Sequence, residues 1–327
     1  MENNNEIEEM EDAFRENKFY FSPSSFNRLS KSPREFYKRY VLKENEDEDK
    51  KYFIFGRLLH CLLLEPETFN DQFVLSSDDL PSDNVISILK ALFELEVSPE
   101  SILEDFGKEI LEEMESRSFH NNVKDVDKKL AKVINDKGYS YFEFLKQSLT
   151  KTIVDLEMYD KVLLAMDEVK KNKFILNLIC YEEKKGVDVY NELELKSEFH
   201  GTFGLKGICD NLVIDHNKKK VFINDFKTTS RYLIDFEDSL HKYGYANQAA
   251  IYYMILVDEL DGIEGYDFEF NFVVFDRDSN LYAFRVTEET MQAWKNDVLG
   301  KLIDFKYHFD TMDFTLPIDF ITNTKEL

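Results

Sequence analysis

The sequence predicts a mixed α/β fold, a central sheet flanked by helices, and three observations carry that expectation. Helical and strand patterns succeed one another as helix, helix, strands, helix, strands, helix. Of the 327 residues, 43% are hydrophobic and 14% aromatic, enough to bury a sizeable core. Strand patterns over Val187 to Phe199, Leu205 to Ile214 and Val221 to Lys227 follow closely on one another. The last two are joined by the polar turn Asp215 to Lys220 and read as a β-hairpin.

Residues 1–17 are rich in Glu and Asn without apolar periodicity and read as an acidic, disordered tail. Residues 18–327 read as one domain with a helical insertion at about 80–180. Ser22-Pro23-Ser24-Ser25 forms a helix cap leading into Phe26 and Leu29. Ser32-Pro33 forms a second, with proline at the first helical position. Glu44 to Lys51 is charged and loop-like, and Phe55 to Leu64 is an apolar helix stopped near Pro66. From Val85 to Ile179 the pattern is helical and charged, with breaks near Pro99, Gly107 and Gly138. A helix from about Leu240 to Leu256 follows the hairpin. Two strands come next, Phe268 to Phe275 and Leu281 to Val286, linked by Asp276 to Asn280. A last helix covers Glu288 to Phe309, and no internal repeat is present.

The net charge of -24 argues against a nucleic-acid partner, because phosphate binding needs a basic surface. Its distribution softens the objection. Lys18, Arg28, Lys31, Arg34, Lys38, Arg39 and Lys43 face a single acid, Glu35, within one short stretch. Such an island is either a local binding track or a solvated helix face. No apolar run approaches the ~20 residues that span a bilayer, and the N-terminus is acidic. A cytoplasmic protein with no membrane partner is the expectation. Cys61, Cys180 and Cys209 lie far apart, with no spacing for a disulfide framework, zinc site or iron–sulfur cluster.

Strand alternation points Asp225 and Lys227 the same way. A turn centred between Asn217 and Lys218 sets Asp210 opposite Asp225, with β-carbons about 5 Å apart. It also sets Leu212 opposite Ile223 and Ile214 opposite Val221, an apolar surface beneath the acids. Two facing carboxylates repel unless a cation or a shared proton lies between them. Mg²⁺, with Mn²⁺ as its alternative, needs only one or two carboxylates plus a substrate phosphate. Asp210 and Asp225 supply the carboxylates, and the Phe226 carbonyl is a further candidate ligand. Lys227 would orient the attacking water or stabilise the transition state, a constellation suited to metal-assisted attack on a phosphodiester. The Asp-x-Lys spacing alone says little, since Glu194-Leu195-Lys196 and Asp127-Lys128-Lys129 repeat it. Pairing with Asp210 sets Asp225 apart.

Other residues keep two readings. His60, on an apolar helix, is either a satisfied core histidine or a metal ligand. Gln248 and Tyr252, four apart on one helix face, are ordinary helix surface and core or part of the site. Arg57, Arg231 and Lys242 are solvated charges or phosphate contacts.

Gly207-Ile208-Cys209-Asp210, Asp225-Phe226-Lys227-Thr228-Thr229 and Gln248-Ala249-Ala250-Ile251-Tyr252 resemble a known series. It is the G-x-x-D, D-x-K-T and Q-x-x-x-Y set of PD-(D/E)XK nucleases of the RecB type. Ser22 to Phe26 and Ser32 to Phe36 are similar to that group's first helices. Gly56 to Pro66 resembles exodeoxyribonuclease VIII (RecE) and its phage relatives, and Met158 to Ile179 resembles the helix preceding their nuclease strands. The resemblance implies a restriction-endonuclease-like sheet and metal ligation by His60, Asp210 and Asp225. It implies Lys227 as the catalytic lysine and Gln248 and Tyr252 as residues that place the DNA strand. Glu194 matches an auxiliary acidic position, with Glu192 competing for it. Ser32 stands where iron–sulfur relatives carry cysteine, which argues against a cluster. The implied activity is a Mg²⁺-dependent exonuclease degrading one strand of duplex DNA from its ends, for recombination by strand annealing. A homo-oligomer and a single-strand annealing partner, in a bacterial or phage-infected cytoplasm, go with it. Two alternatives are an endonuclease of the same fold acting on branched or foreign DNA, and a non-catalytic DNA-binding relative.

Overall fold

The computed structural model describes residues 2–44, 51–95, 97–199, 203–276, 278 and 280–322. The strands are β1 (Phe19–Phe21), β2 (Phe73–Leu75), β3 (Thr152–Val154), β4 (Val187–Phe199) and β5 (Phe203–Asp215). Then come β6 (Lys220–Thr228), β7 (Asp267–Phe275) and β8 (Leu281–Val286).

Turn chemistry fixes the hairpin β5–β6. The Asp215 carboxylate accepts the backbone N–H groups of Asn217 and Lys218, each at 3.1 Å, closing the polar turn. Leu212 then pairs with Ile223 and Ile214 with Val221, the register expected from the turn, and the ladder runs to Asn211–Asn224. One further step sets Asp210 opposite Asp225. β4 runs antiparallel along β5, from Val187–Asp215 to Phe199–Phe203. A strand has two edges, so β1 and β6 share the other edge of β5. β1 pairs in parallel with 203–205, and β6 pairs antiparallel with 211–215. Residues 206–210 fall between those partners.

β6 and β7 are parallel, a pairing that requires a crossover connection. The crossover holds the helices Phe236–Tyr243 and Tyr245–Glu259. β8 closes the sheet antiparallel to β7. Leu212, Ile214, Val221, Ile223, Phe270 and Phe272 supply the sheet's side of the core. Ala249, Ile251, Tyr252 and Ile255 of the crossover helix, with Val298, Leu302 and Phe305 of the helix Glu288–Thr311, supply the other side. This is the mixed sheet flanked by helices that the sequence predicts.

The chain divides into two compact units, 1–50 with 165–327, and 51–164. The sheet belongs wholly to the first. The second carries the helix Lys51–Leu64, the parallel pair β2–β3 and its own core of Ile88, Leu89, Leu92, Ile110, Met114 and Phe142. Its limits differ from the 80–180 expected for an insertion, because the apolar helix holding His60 falls inside it.

Other expectations need correction. Residues expected to be a tail form the helix Glu2–Glu16, and Phe14 packs against Phe19, Phe36, Phe309 and Phe314. The helix expected over Leu240 to Leu256 is two helices, broken at Gly244, whose φ of 71° is left-handed. An added Cβ there would collide with the Asn27 side chain, which donates to the Gly244 carbonyl at 3.3 Å. Both predicted caps are present: Ser22 closes a capping box with Ser25, and Ser32 accepts from the Glu35 N–H. Of the charged loop expected over Glu44 to Lys51, residues 45–50 lie outside the described residues, as do 277 and 279 of the β7–β8 link.

Candidate active site

Asp210 and Asp225 meet where backbone pairing between β5 and β6 ends. The Asp210 Oδ2 accepts the Phe226 N–H at 2.6 Å, so a side chain takes a bond of the kind the ladder would otherwise supply. Asp225 is 1% exposed, and Lys227 places its Nζ 2.5 Å from Asp225 Oδ2. Lys227 also donates to the Phe226 carbonyl at 3.5 Å and lies 5.1 Å from the centre of the Tyr245 ring. The Gln248 amide donates to Asp225 Oδ1 and to the Tyr252 hydroxyl, both at 3.0 Å. The four-residue spacing on one helix face therefore serves the site: Gln248 grips the acid, and Tyr252 backs Gln248.

Gly207 makes that helix placement possible. Any side chain there would run into the Tyr252 ring, so the helix approaches β5 only over a bare backbone. Asp258, farther along the same helix, accepts from Ser197 of β4 at 2.9 Å.

Opposite Asp210 on β4 stands Glu192, flanked by the pairs Asn191–Asn211 and Leu193–Cys209. Glu192 has φ 45°, a left-handed conformation in mid-strand that a β-carbon disfavours. Strain of this kind re-aims a side chain when the surroundings impose it. Glu192 and Asp210 offer carboxylate oxygens within 4.8 Å of each other. Glu194 instead pairs with Ile208 and is exposed, so the acid beside Asp210 is Glu192 and not Glu194.

Electrostatics follow from burial and proximity. Burial alone would lower the pKa of Lys227, but the charges of Asp225 and then Asp210 more than offset it, and the ammonium is held. Burial, followed by those same two charges, pushes the Tyr252 phenol far up, so it stays neutral. The Cys209 thiol is raised well above its usual value by burial and then by Asp210 and Asp225. Cys209 is fully buried in the main core, and the donors at the site are hard carboxylate oxygens, which fit Mg²⁺ or Mn²⁺.

The remaining candidates lie on other elements of the chain. His60 is half-buried on the helix Lys51–Leu64 of the second unit, with Arg57 exposed on the same helix and donating to Thr152 at 3.1 Å. Arg231 follows β6, and its N–H donates to the Thr229 hydroxyl. In the basic island, Lys18 pairs with Glu198, Lys38 with Glu35, and Lys31 donates to the Lys242 carbonyl.

Residues 20–303 match the family described as the PD-(D/E)XK nuclease superfamily. The chain belongs to that superfamily. No curated protein matches the sequence. Among solved structures, the chain is similar to a "Putative exonuclease" from Eubacterium rectale, with a TM-score of 0.50 and 10% identity. That match covers 97% of this chain and 92% of the other, and at such identity it shows the fold alone. A second structure, SSO0001, matches at 13% identity over 70% of this chain and 98% of its own, with a TM-score of 0.24 that carries no argument. As a PD-(D/E)XK nuclease the chain has DNA as its implied substrate, and nucleases of this superfamily use divalent metals. Among the described residues, no helix is long and apolar enough to cross a membrane.

Proposed function

We propose that this nuclease is a Mg²⁺-dependent exonuclease that degrades one strand of duplex DNA from its ends. The reading rests chiefly on two buried carboxylates from neighbouring strands, Asp210 and Asp225, with an ammonium group 2.5 Å from the second. Asp210, Asp225 and the Phe226 carbonyl would hold the ion, with Glu192 as the auxiliary acid; His60 as a further ligand rests on the resemblance of Gly56 to Pro66 alone. A divalent ion held there would lower the pKa of a water and neutralise charge on the phosphate.

The protein's own groups do the rest. Gln248 holds the Asp225 carboxylate in one orientation, and Tyr252, being neutral and buried, fixes Gln248 without adding charge. Lys227 keeps its proton and stands ready to orient the water or to meet charge developing on phosphate oxygens. Gln248 and Tyr252 act on the DNA strand through Asp225. Arg57 and Arg231 contact backbone phosphates, which position a duplex without reading its sequence.

Attack from ends, rather than at internal sites, rests on the similarity of Gly56 to Pro66 to the exodeoxyribonuclease VIII group. The same similarity supports a homo-oligomer, a single-strand annealing partner, a role in recombination and a cytoplasmic location in a bacterium or phage-infected cell. Linear duplex DNA, labelled separately at each terminus, and a covalently closed circle test the reading in one assay. An end-dependent enzyme releases label from one terminus and leaves the circle intact. Nicking of the circle would make the protein an endonuclease of the same fold, and binding without cleavage would make it a non-catalytic relative.

A further inference from the structure

On the sheet positions next to the two acids, a row of four asparagines crosses four strands. Asn271 of β7 donates its side-chain amide to Asn224 of β6 at 3.2 Å. Asn224 donates to Asn211 of β5 at 2.8 Å, and Asn211 donates to Asn191 of β4 at 2.8 Å. All three bonds run the same way, so each amide polarises the next. Asn211, Asn224 and Asn271 are buried. The row is also tied to the chain that precedes β4: Asn224 donates to the Leu178 carbonyl and Asn211 to the Ile179 carbonyl, each at 3.3 Å. Those carbonyls end the helix Lys173–Leu178.

A buried amide has four hydrogen-bonding positions to satisfy, and an apolar side chain has none. Four adjacent amides, three of them buried, are therefore an unusual use of sheet positions that elsewhere hold valine or phenylalanine. Their location supplies the reason. Asn211 and Asn224 form the last backbone pair of the β5–β6 ladder, and Asp210 and Asp225 are the next residue on each strand. Past that pair, Asp210 spends one oxygen on the Phe226 N–H. Asn191 and Asn211 likewise pair directly beside Glu192, where the backbone is left-handed.

We propose that the row Asn191–Asn211–Asn224–Asn271 is a set of positioning residues that fixes the spacing of Asp210, Asp225 and Glu192 for a divalent cation. The proposal rests on reading Asp210 and Asp225 as metal ligands. It makes the asparagines the outer layer of that site, acting through the strands rather than by touching the ion. Groups that orient metal ligands set affinity, and their loss weakens binding by about 10- to 100-fold.

The test is calorimetric titration of the full chain with Mn²⁺ in the absence of DNA. Asn211→Ala and Asn224→Ala are expected to bind Mn²⁺ about tenfold more weakly than the wild type or worse. Asn191→Ala, at the half-buried end of the row, is expected to lose several-fold, and it decides the matter should the central variants not fold. Val298→Ala, a core truncation in the helix Glu288–Thr311, is the control: its melting temperature falls while its Mn²⁺ affinity stays within about twofold of wild type. The proposal is overturned if the asparagine variants retain wild-type affinity, or if the control loses as much as they do. A wild-type chain that takes up no Mn²⁺ overturns the metal reading of the acids themselves, and the proposal with it.

Discussion

Replacing Gly207 by alanine puts the closest contact between the sheet and the Gln248 helix under load. The new methyl would collide with Cε1 of Tyr252 and lie 3.1 Å from Cδ1 and 3.3 Å from Cζ. Carbon atoms settle at about 3.5–4.0 Å, so the ring or the helix must give way. Tyr252 is 5% exposed and packed in the main core, which leaves its ring no open direction. Overpacking of this kind destabilises by about 1–3 kcal/mol, roughly a 5- to 160-fold loss in the folding constant. Function should suffer as well, because the same helix carries Gln248, and a shift there loosens its 3.0 Å bond to Asp225. Urea denaturation measures the first effect, and the rate of duplex digestion under folding conditions measures the second. A double-variant cycle sharpens the test. Tyr252→Ala alone costs about 3–5 kcal/mol, but it removes the obstacle, so Gly207→Ala/Tyr252→Ala should fall short of the summed losses by at least ~1 kcal/mol. A Gly207→Ala chain within about 0.5 kcal/mol of wild type and fully active would refute the reasoning.

Gly244→Ala should destabilise by about 1–3 kcal/mol, from the left-handed backbone and the collision with Asn27, as read by thermal melting. Asp215 has its pKa pushed up by burial, but its bonds to the Lys218 side chain and to the Lys218 and Asn217 N–H groups outweigh this and hold it low. Its contribution is therefore present above the ordinary carboxylate value and lost as pH falls through the lower folded value. Asp215→Asn should accordingly show a flatter loss of stability than wild type below about pH 4. Tyr37, raised first by burial and then by its bond to Glu11, has its pKa pushed up to about 12. That contribution is complete below about pH 10 and lost as pH rises towards 12, so Tyr37→Phe should flatten the alkaline limb of stability over that window.

The sequence made the hairpin legible because two independent signals agree there. Apolar alternation in Leu212, Ile214, Val221 and Ile223 sets the face, and the Asp215 turn sets the register. Once both were fixed, the approach of Asp210 to Asp225 followed from counting. The acid on β4 did not follow, because Glu192 and Glu194 sit on the same face in a regular strand, and only the left-handed backbone at Glu192 separates them. The break at Gly244 was hidden inside a continuous apolar pattern, since Tyr243 and Tyr245 flank the glycine. At the N-terminus a faint signal was present: Ile7, Met10 and Phe14 have helical spacing, but surrounding glutamates and asparagines mask it. β1, β2 and β3, at three residues each, are too short to carry any period. The asparagine row was invisible because its members come from four separate strands and have no common spacing along the chain.

The central claim is that Asp225, with Asp210 and Lys227, cuts DNA with the help of a divalent ion. Its most direct test is digestion of end-labelled linear duplex by wild type, Asp225→Asn and Lys227→Ala, each with Mg²⁺ and with a chelator. Wild type should digest the duplex only with Mg²⁺, Asp225→Asn should release no label above background, and Lys227→Ala should be slower by about 10²–10³-fold. Undiminished digestion by both variants, or digestion by wild type that the chelator leaves untouched, would contradict the account.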